Sequence, residues 1–168
     1  QGRGSGVSVT IRAAEPADTA LILSLVRELA EYERLSSEVD ATEDDIAKAL
    51  FAPQSRVFCD IAAYDGAPAG FALWFLNFSS FRGRHGIYLE DIFVRAEYRG
   101  KGIGKRLMQR LAQHCVSKSW ARLEWSVLDW NKPSIEFYKS IGAQVMEDWR
   151  ICRMSGEALQ RFASDSAR

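Results

Sequence analysis

Three glycines and four cations lie within one short stretch, residues 99–106 ("RGKGIGKR"), directly before a segment with helical periodicity. Glycine lets a backbone approach a ligand closely, and the free N–H groups at a helix start favour an anion. The spacing excludes two common phosphate loops. Gly100 and Gly104 enclose three residues, whereas a P-loop has four followed by Gly-Lys and a hydroxyl residue, and GxGxxG needs its third glycine one residue later. We therefore expect backbone N–H groups between a strand and a helix to surround a pyrophosphate-type anion.

Two adjacent acids, Glu90 and Asp91, interrupt the apolar segment "YLEDIFV". Strand alternation predicts that they point to opposite faces of a sheet. Burying an unpaired carboxylate is costly, so acids within such a run require an explanation. One explanation is a functional site, and the other is an ion pair with an arginine such as Arg12 or Arg27.

Hydrophobic periodicity and turn signals predict the elements that must position these residues. The predicted order is strand, two helices, three strands, helix, strand, helix, strand, helix. The strands are "VSVTIR", "RVFCDIAAY", "APAGFALWFLNF", "GIYLEDIFVR", "ARLEWSVL" and "WRICRMS". "DGAP" is predicted to be a hairpin turn, Thr42 and Asp45 a capping box, and Gly142 a helix C-cap. The pattern predicts an α/β fold with a mixed sheet and helices on both faces.

Composition and charge exclude several classes of function. The net charge is zero, but acids predominate between Glu15 and Asp45 and cations between Arg95 and Arg122. This layout suits a cationic and an anionic ligand together, or simply two solvated helix faces, and it argues against nucleic-acid binding. No apolar run reaches the length of a membrane span. Three dispersed cysteines and two histidines predict free thiols in a reducing cytosol and no metal site.

At 168 residues the chain is expected to form a single domain over residues 7–168. The glycine-rich, polar segment 1–6 lacks an initiator methionine, and we expect it to be a disordered arm or an expression remnant.

Four stretches in this order resemble the GNAT acetyltransferases, most closely the diamine (spermidine/spermine) and thialysine acetyltransferases. They are "RELAEYE", "YLEDIFV", "YRGKGIG" and "LDWNKPSIEFYKSIGA". The resemblance extends from Val7 to about Ala163. It implies a GNAT-like, mostly antiparallel twisted sheet, acetyl-CoA as co-substrate and a homodimer.

The resemblance also implies which residues bind acetyl-CoA. The glycine loop, residues 99–106, would hold the pyrophosphate. The splayed end of the "YLEDIFV" strand would bind the acetyl carbonyl and pantetheine through its backbone. Asn131 and Ser134 would add CoA contacts, although both are equally suited to capping a helix. Tyr138 matches the family's general acid, which protonates the leaving thiolate; otherwise it is a helix tyrosine that packs in the core. The implied cofactor-binding residues are Ile92, Phe93, Val94, Arg99, Gly100, Lys101, Gly102, Ile103, Gly104, Lys105, Asn131, Ser134 and Tyr138.

The implied amine site combines aromatic and acidic residues. Glu90 is expected to attract the ammonium group and to accept its proton directly or through water, because only about one alkylamine in a thousand is neutral at pH 7. Tyr32 and Glu33 match a substrate-binding pair, although "ELAEYE" is also ordinary helical composition. Phe81 stands near the position of a tryptophan in relatives. The implied substrate-binding residues are Tyr32, Glu33, Phe81, Glu90, Asp91, Glu124, Trp125 and Ser126.

The predicted function is therefore N-acetylation of a small cationic amine by direct attack in a ternary complex. Direct attack is favoured because no cysteine falls within the site motifs. One alternative is an aminoglycoside-like amine or a lysine-like amino acid such as thialysine, whose carboxylate Arg82 or Arg84 would hold. The others are a protein or peptide substrate and a non-catalytic acyl-CoA-binding module.

Overall fold

The structure is a computed structural model that describes residues 6–165. These residues divide into two compact units, one ending at Leu128 and the other beginning at Asp129, and each is described by itself. Residues 1–5 of the predicted N-terminal arm lie outside the described residues. The single domain over residues 7–168 stays a prediction.

The first unit is built on a five-stranded sheet whose strands are in sequence order. The strands are β1 (Val9–Ala13), β2 (Val57–Tyr64), β3 (Ala67–Ser79), β4 (Arg84–Val94) and β5 (Leu123–Trp125). Strands β1 to β4 pair in antiparallel fashion, and β5 is parallel to β4. The prediction of a mixed, mostly antiparallel sheet is confirmed.

Three α-helices cover both faces of this sheet, as alternation along β2 shows. The helices are α1 (Thr19–Tyr32), α2 (Glu43–Phe51) and α3 (Ile103–Ser117). Cys59 and Ile61 belong to a buried core with α1 side chains such as Leu25. Asp60, between them, points the other way and accepts a 2.8 Å hydrogen bond from Nε of Arg110 on α3. Helices therefore lie on both faces, as the sequence predicts.

Local signals in the sequence set several of these elements. The turn between β2 and β3 has positive φ at Asp65 (48°) and Gly66 (83°), as a two-residue hairpin of the I′ type requires. The capping box at the start of α2 is formed, because Thr42 and Asp45 each accept a hydrogen bond from the other's backbone N–H. Both predictions are confirmed.

The second unit contains helices α4 (Lys132–Ser140) and α5 (Gly156–Ser164). Gly142 ends α4 with φ of 95°, and its N–H and that of Ala143 donate to carbonyls of the last turn, as a C-cap does. The predicted strand "WRICRMS" is wrong for the described residues, since residues 149–155 form no strand. A strand requires a partner for its backbone groups, and alternation alone supplies none.

A search of the helices within residues 6–165 finds none with the length and apolar character needed to cross a bilayer.

Candidate active site

The glycine loop opens directly onto the first turn of α3. Gly102 is the N-cap in a left-handed conformation (φ 78°), with no side chain capping the helix. The first hydrogen bond of the helix runs from the N–H of Arg106 to the carbonyl of Gly102. The N–H groups that precede Arg106 in the first turn therefore have no partner within the helix. A Cβ on Gly100 or Gly102 would meet no heavy atom within 4 Å. Open space and unpaired donors at a helix N-terminus fit a phosphate group.

Strand β4 is paired on one side only where it approaches this loop. It pairs with β3 as far as Val94, but β5 pairs only with the segment from Ile87 to Leu89. From Glu90 to Val94 the β5-facing edge therefore pairs with no strand in the described part of the chain. Successive N–H groups of a strand point to opposite edges, and that of Arg95 donates to the Ala69 carbonyl of β3. Within the predicted segment Ile92, Phe93 and Val94, the N–H groups of Ile92 and Val94 therefore point to the unpaired edge, and that of Phe93 points to β3.

Near a β-bulge in β4, the carboxylates of Glu33, Glu90 and Asp91 interact electrostatically. Leu73 pairs with Asp91 while Trp74 pairs with Leu89, so Glu90 is an extra residue. Simple alternation, which predicts opposite faces for the two acids, does not hold at such a position. Burial, then the charges of Glu90 and Glu33, raise the pKa of Asp91 to about 7. Burial and the Glu90 charge also raise the pKa of Glu33, at the C-terminal end of α1.

No cation of the described chain neutralises these three acids. The ion pairs found within residues 6–165 join other residues, and none includes Glu33, Glu90 or Asp91. Arg12, an alternative partner for Glu90 on the sequence, instead pairs with Asp18 at 2.7 Å. The ion-pair explanation of Glu90 is therefore wrong, and the cluster is an acidic site suited to a cationic ligand.

The cations of the loop differ in what they contact. Nε of Arg99 donates to the Val94 carbonyl at 3.0 Å, and the guanidinium carbon lies 4.8 Å from the centre of the Tyr32 ring. Nζ of Lys101 lies 5.0 Å from the centre of the Tyr64 ring. Lys105, in the first turn of α3, is exposed. Tyr32 is therefore next to the glycine loop as well as next in sequence to Glu33.

Two predicted residues, one in β5 and one just after it, are hydrogen-bonded to polar residues that the sequence analysis missed. Oε1 of Glu124 accepts hydrogen bonds from Arg122 and from Asn77 on β3. The Ser126 hydroxyl is hydrogen-bonded to that of Tyr88 on β4 at 2.9 Å. The polar residue within the apolar segment "FALWFLNF" was the signal that could have identified Asn77.

Two further predicted substrate residues lie on β5 and on the hairpin between β3 and β4. Trp125 lies in the short β5 pairing, opposite Leu89. Phe81 is fully exposed at the tip of the hairpin between β3 and β4.

The remaining predicted residues lie in the second unit. Asn131 caps α4 by accepting a hydrogen bond from the Ser134 N–H, which confirms the capping interpretation of Asn131. Tyr138 lies on the same helix. The CoA contacts of Asn131 and Ser134 and the acid role of Tyr138 stay predictions.

Comparison with known proteins gives consistent matches over most of the chain. Residues 21–143 match the acetyltransferase (GNAT) family. The chain is 39% identical over 166 residues to a thialysine N-epsilon-acetyltransferase of Bos taurus, covering 92% of this chain and 97% of that protein. It is 34% identical to an L-ornithine N5-acetyltransferase of Arabidopsis thaliana, covering 89% and 86%. A solved V. cholerae integron cassette protein matches with a TM-score of 0.78 and 30% identity, covering 94% and 99%.

The acidic cluster predicts a pH-dependent effect on stability. The raised pKa of Asp91 means that its ionised form destabilises the folded chain as the pH rises through about 7. Asp91→Asn should therefore increase the free energy of unfolding at pH 8 by on the order of 2 kcal/mol, about half of what the full shift would give. The increase should vanish below pH 4. Urea unfolding of the ligand-free protein at both pH values measures it.

The matched control is Asp40→Asn, which removes the same charge at an exposed position. Its effect should be small at both pH values. Destabilisation by Asp91→Asn at pH 8 would contradict the electrostatic interpretation.

Proposed function

Because the chain belongs to the acetyltransferase (GNAT) family and is an N-acetyltransferase, we propose that it transfers acetyl from acetyl-CoA to a terminal primary amine of a small cationic, polyamine-like substrate. The observation that carries this proposal is the cluster of Glu33, Glu90 and Asp91, which no cation of the described chain neutralises. An ammonium group would remove the repulsion among these acids, so the cluster favours cationic substrates over neutral ones.

The acids also address the chemical problem of acetyl transfer to an amine. Only the neutral amine has a lone pair for attack, and at pH 7 nearly all of a primary alkylamine is protonated. Glu90, directly or through water, takes this proton, while Glu33 and Asp91 hold the remaining positive charge. The amine nitrogen then bonds to the acetyl carbon and releases its second proton to water as the carbon–sulfur bond breaks. Tyr138 gives its proton to the departing thiolate and regains one from solvent.

Backbone groups would bind the acetyl donor. The free N–H groups of α3 and the open space at Gly100 and Gly102 fit its pyrophosphate, with Lys105 adding positive charge. The unpaired edge of β4 before Val94 offers N–H donors to the acetyl oxygen, where negative charge develops during attack. The proposal also includes direct attack in a ternary complex, a homodimer and a cytoplasmic location. These three parts rest on the sequence motifs and on the family resemblance.

A lysine-like or ornithine-like amino acid is the second candidate substrate. Relatives named for thialysine and L-ornithine acetylation favour it. Such a substrate carries a terminal amine for the acidic cluster and a carboxylate that needs a cation. Arg82 and Arg84, which form no ion pair within the described residues, are exposed near the tip of the β3–β4 hairpin and remain the candidates.

A substrate panel tests the proposed reaction. We expect acetyl-CoA-dependent release of CoA thiol with spermidine, spermine, putrescine, ornithine, lysine or thialysine. Tyr138→Phe should reduce kcat by on the order of a hundredfold while acetyl-CoA still binds, because only the proton donor is lost. Turnover with the amino acids alone would select the second candidate. Acetyl-CoA binding without turnover of any amine would contradict the proposal.

Charge removal within the cluster should weaken amine binding selectively. Glu33→Gln is expected to raise the KM of the amine about tenfold, as the loss of one charge-assisted interaction does, with the KM of acetyl-CoA unchanged. Glu31→Gln removes the same charge from an exposed position of α1 and should leave both constants unchanged. Equal effects of the two variants would show that general charge, and not the cluster, attracts the amine.

A methyl group in the glycine loop should interfere with the donor substrate. Gly102→Ala places its Cβ in the open space beside the free N–H groups, and the KM of acetyl-CoA should rise tenfold or more, roughly the value of one charge-assisted hydrogen bond. Gly83→Ala is the matched control, since Gly83 also has positive φ and open space but lies at the other end of β4. It should lose about 1 kcal/mol of stability without changing that KM. An unchanged KM in Gly102→Ala would place the donor elsewhere.

A further inference from the structure

Arg99 occupies a junction of three elements that the proposed reaction must hold together. It follows β4, begins the glycine loop and contacts Tyr32 at the C-terminal end of α1. Besides its bond to the Val94 carbonyl and its position over the Tyr32 ring, its guanidinium carbon is 5.6 Å from the centre of the Phe93 ring. The planar group is thus engaged by aromatic and carbonyl groups of the protein itself.

The hydrogen bond from Arg99 to Val94 helps to fix the orientation of the peptide group between Val94 and Arg95. The carbonyl of Val94 accepts from Arg99, and the N–H of the next residue, Arg95, donates to the Ala69 carbonyl at 2.8 Å. Both polar groups of the last β4 peptide are therefore bound, and its orientation is fixed. This peptide adjoins the strand edge whose donors are proposed to face the acetyl group.

A second arginine, Arg95, already holds α1 against the sheet, so Arg99 is not needed for that structural role. Arg95 donates to both carboxylate oxygens of Glu28 on α1 and to the Pro68 carbonyl. Glu28 and Tyr32 are four residues apart and so lie on one side of the helix. Arg95 therefore attaches the helix to the sheet, and the exposed Arg99 contacts α1 one turn further along, at the ring of Tyr32.

We propose that Arg99 is a positioning residue that orients Tyr32 and the last peptide of β4 for the amine, and that its side chain is not a ligand of the pyrophosphate. This differs from the expectation that Arg99 is a cofactor-binding residue, and it rests on the proposed function. The loop still holds the anion through backbone N–H groups and Lys105. Arg99 then links the donor-binding loop with the amine-binding helix.

Steady-state kinetics with both substrates separate the two roles. Arg99→Gln should lower kcat/KM for the amine about tenfold, with the KM of acetyl-CoA changed less than about twofold, because the cation over Tyr32 is lost and the loop backbone is kept. Arg99→Lys, which retains a cation, should recover part of the loss. Lys105→Met should give the opposite pattern, a raised KM for acetyl-CoA. A raised acetyl-CoA KM in Arg99→Gln with unchanged amine kinetics would overturn the proposal.

A double-mutant cycle and a spectroscopic signal make the test independent of turnover. After Tyr32→Leu, the further change Arg99→Gln should cost less than it does in the native chain. In ¹H–¹⁵N spectra, the Arg99 Nε–H resonance, identified by its loss in Arg99→Gln, should shift in Tyr32→Leu because the ring current is removed. If no amine is acetylated, the proposed function fails, and this spectrum still tests the contact. A resonance that does not shift would overturn the assignment of Arg99.

Discussion

The edge of β4 beyond Leu89 is the constraint on which the candidate site depends. A backbone N–H must have a partner in the protein, in water or in a ligand. Because β5 pairs with only three residues of β4, the strands stop pairing where β4 continues toward the glycine loop. The unpaired donors, the bulge and the free first turn of α3 all lie within 16 residues along the chain, from Glu90 to Lys105. One interruption of sheet pairing therefore leaves acids and unpaired backbone donors within one short stretch of the chain.

The acidic cluster shows that stability is lost at this site. Burial, and then the charge of neighbouring carboxylates, raises the pKa of Glu33 and of Asp91. A salt bridge at this position, like that of the buried Asp60 with Arg110, would relieve the repulsion but would occupy the site. Asp60 has a cation of the protein as its partner and is a structural carboxylate. Asp91 has no such ion pair within the described residues and is available to a ligand.

Elements with strong local signals could be predicted from the sequence, and features that depend on partners could not. The capping box at Thr42, the turn at Gly66 and the sheet class follow from local chemistry, and the structure has them. The bulge at Glu90 depends on the register between β3 and β4, which no local pattern contains. The strand at residues 149–155 failed for the same reason, since alternation describes side chains and not the pairing of backbone groups.

Part of the positive charge in the middle of the sequence is neutralised within the protein. The sequence suggests that this basic stretch suits an anionic ligand or forms a solvated helix face, but Arg95, Arg110 and Arg122 each pair with an acid of the protein. What remains near the glycine loop is a short set of cations, of which Arg99 is engaged with an aromatic ring and a carbonyl. Backbone dipoles, which act at short range and need no side chain, can therefore attract an anion at this loop together with Lys105. A short-range attraction of this kind is compatible with an acidic cluster near the same loop, because backbone dipoles act only within the first turn of the helix.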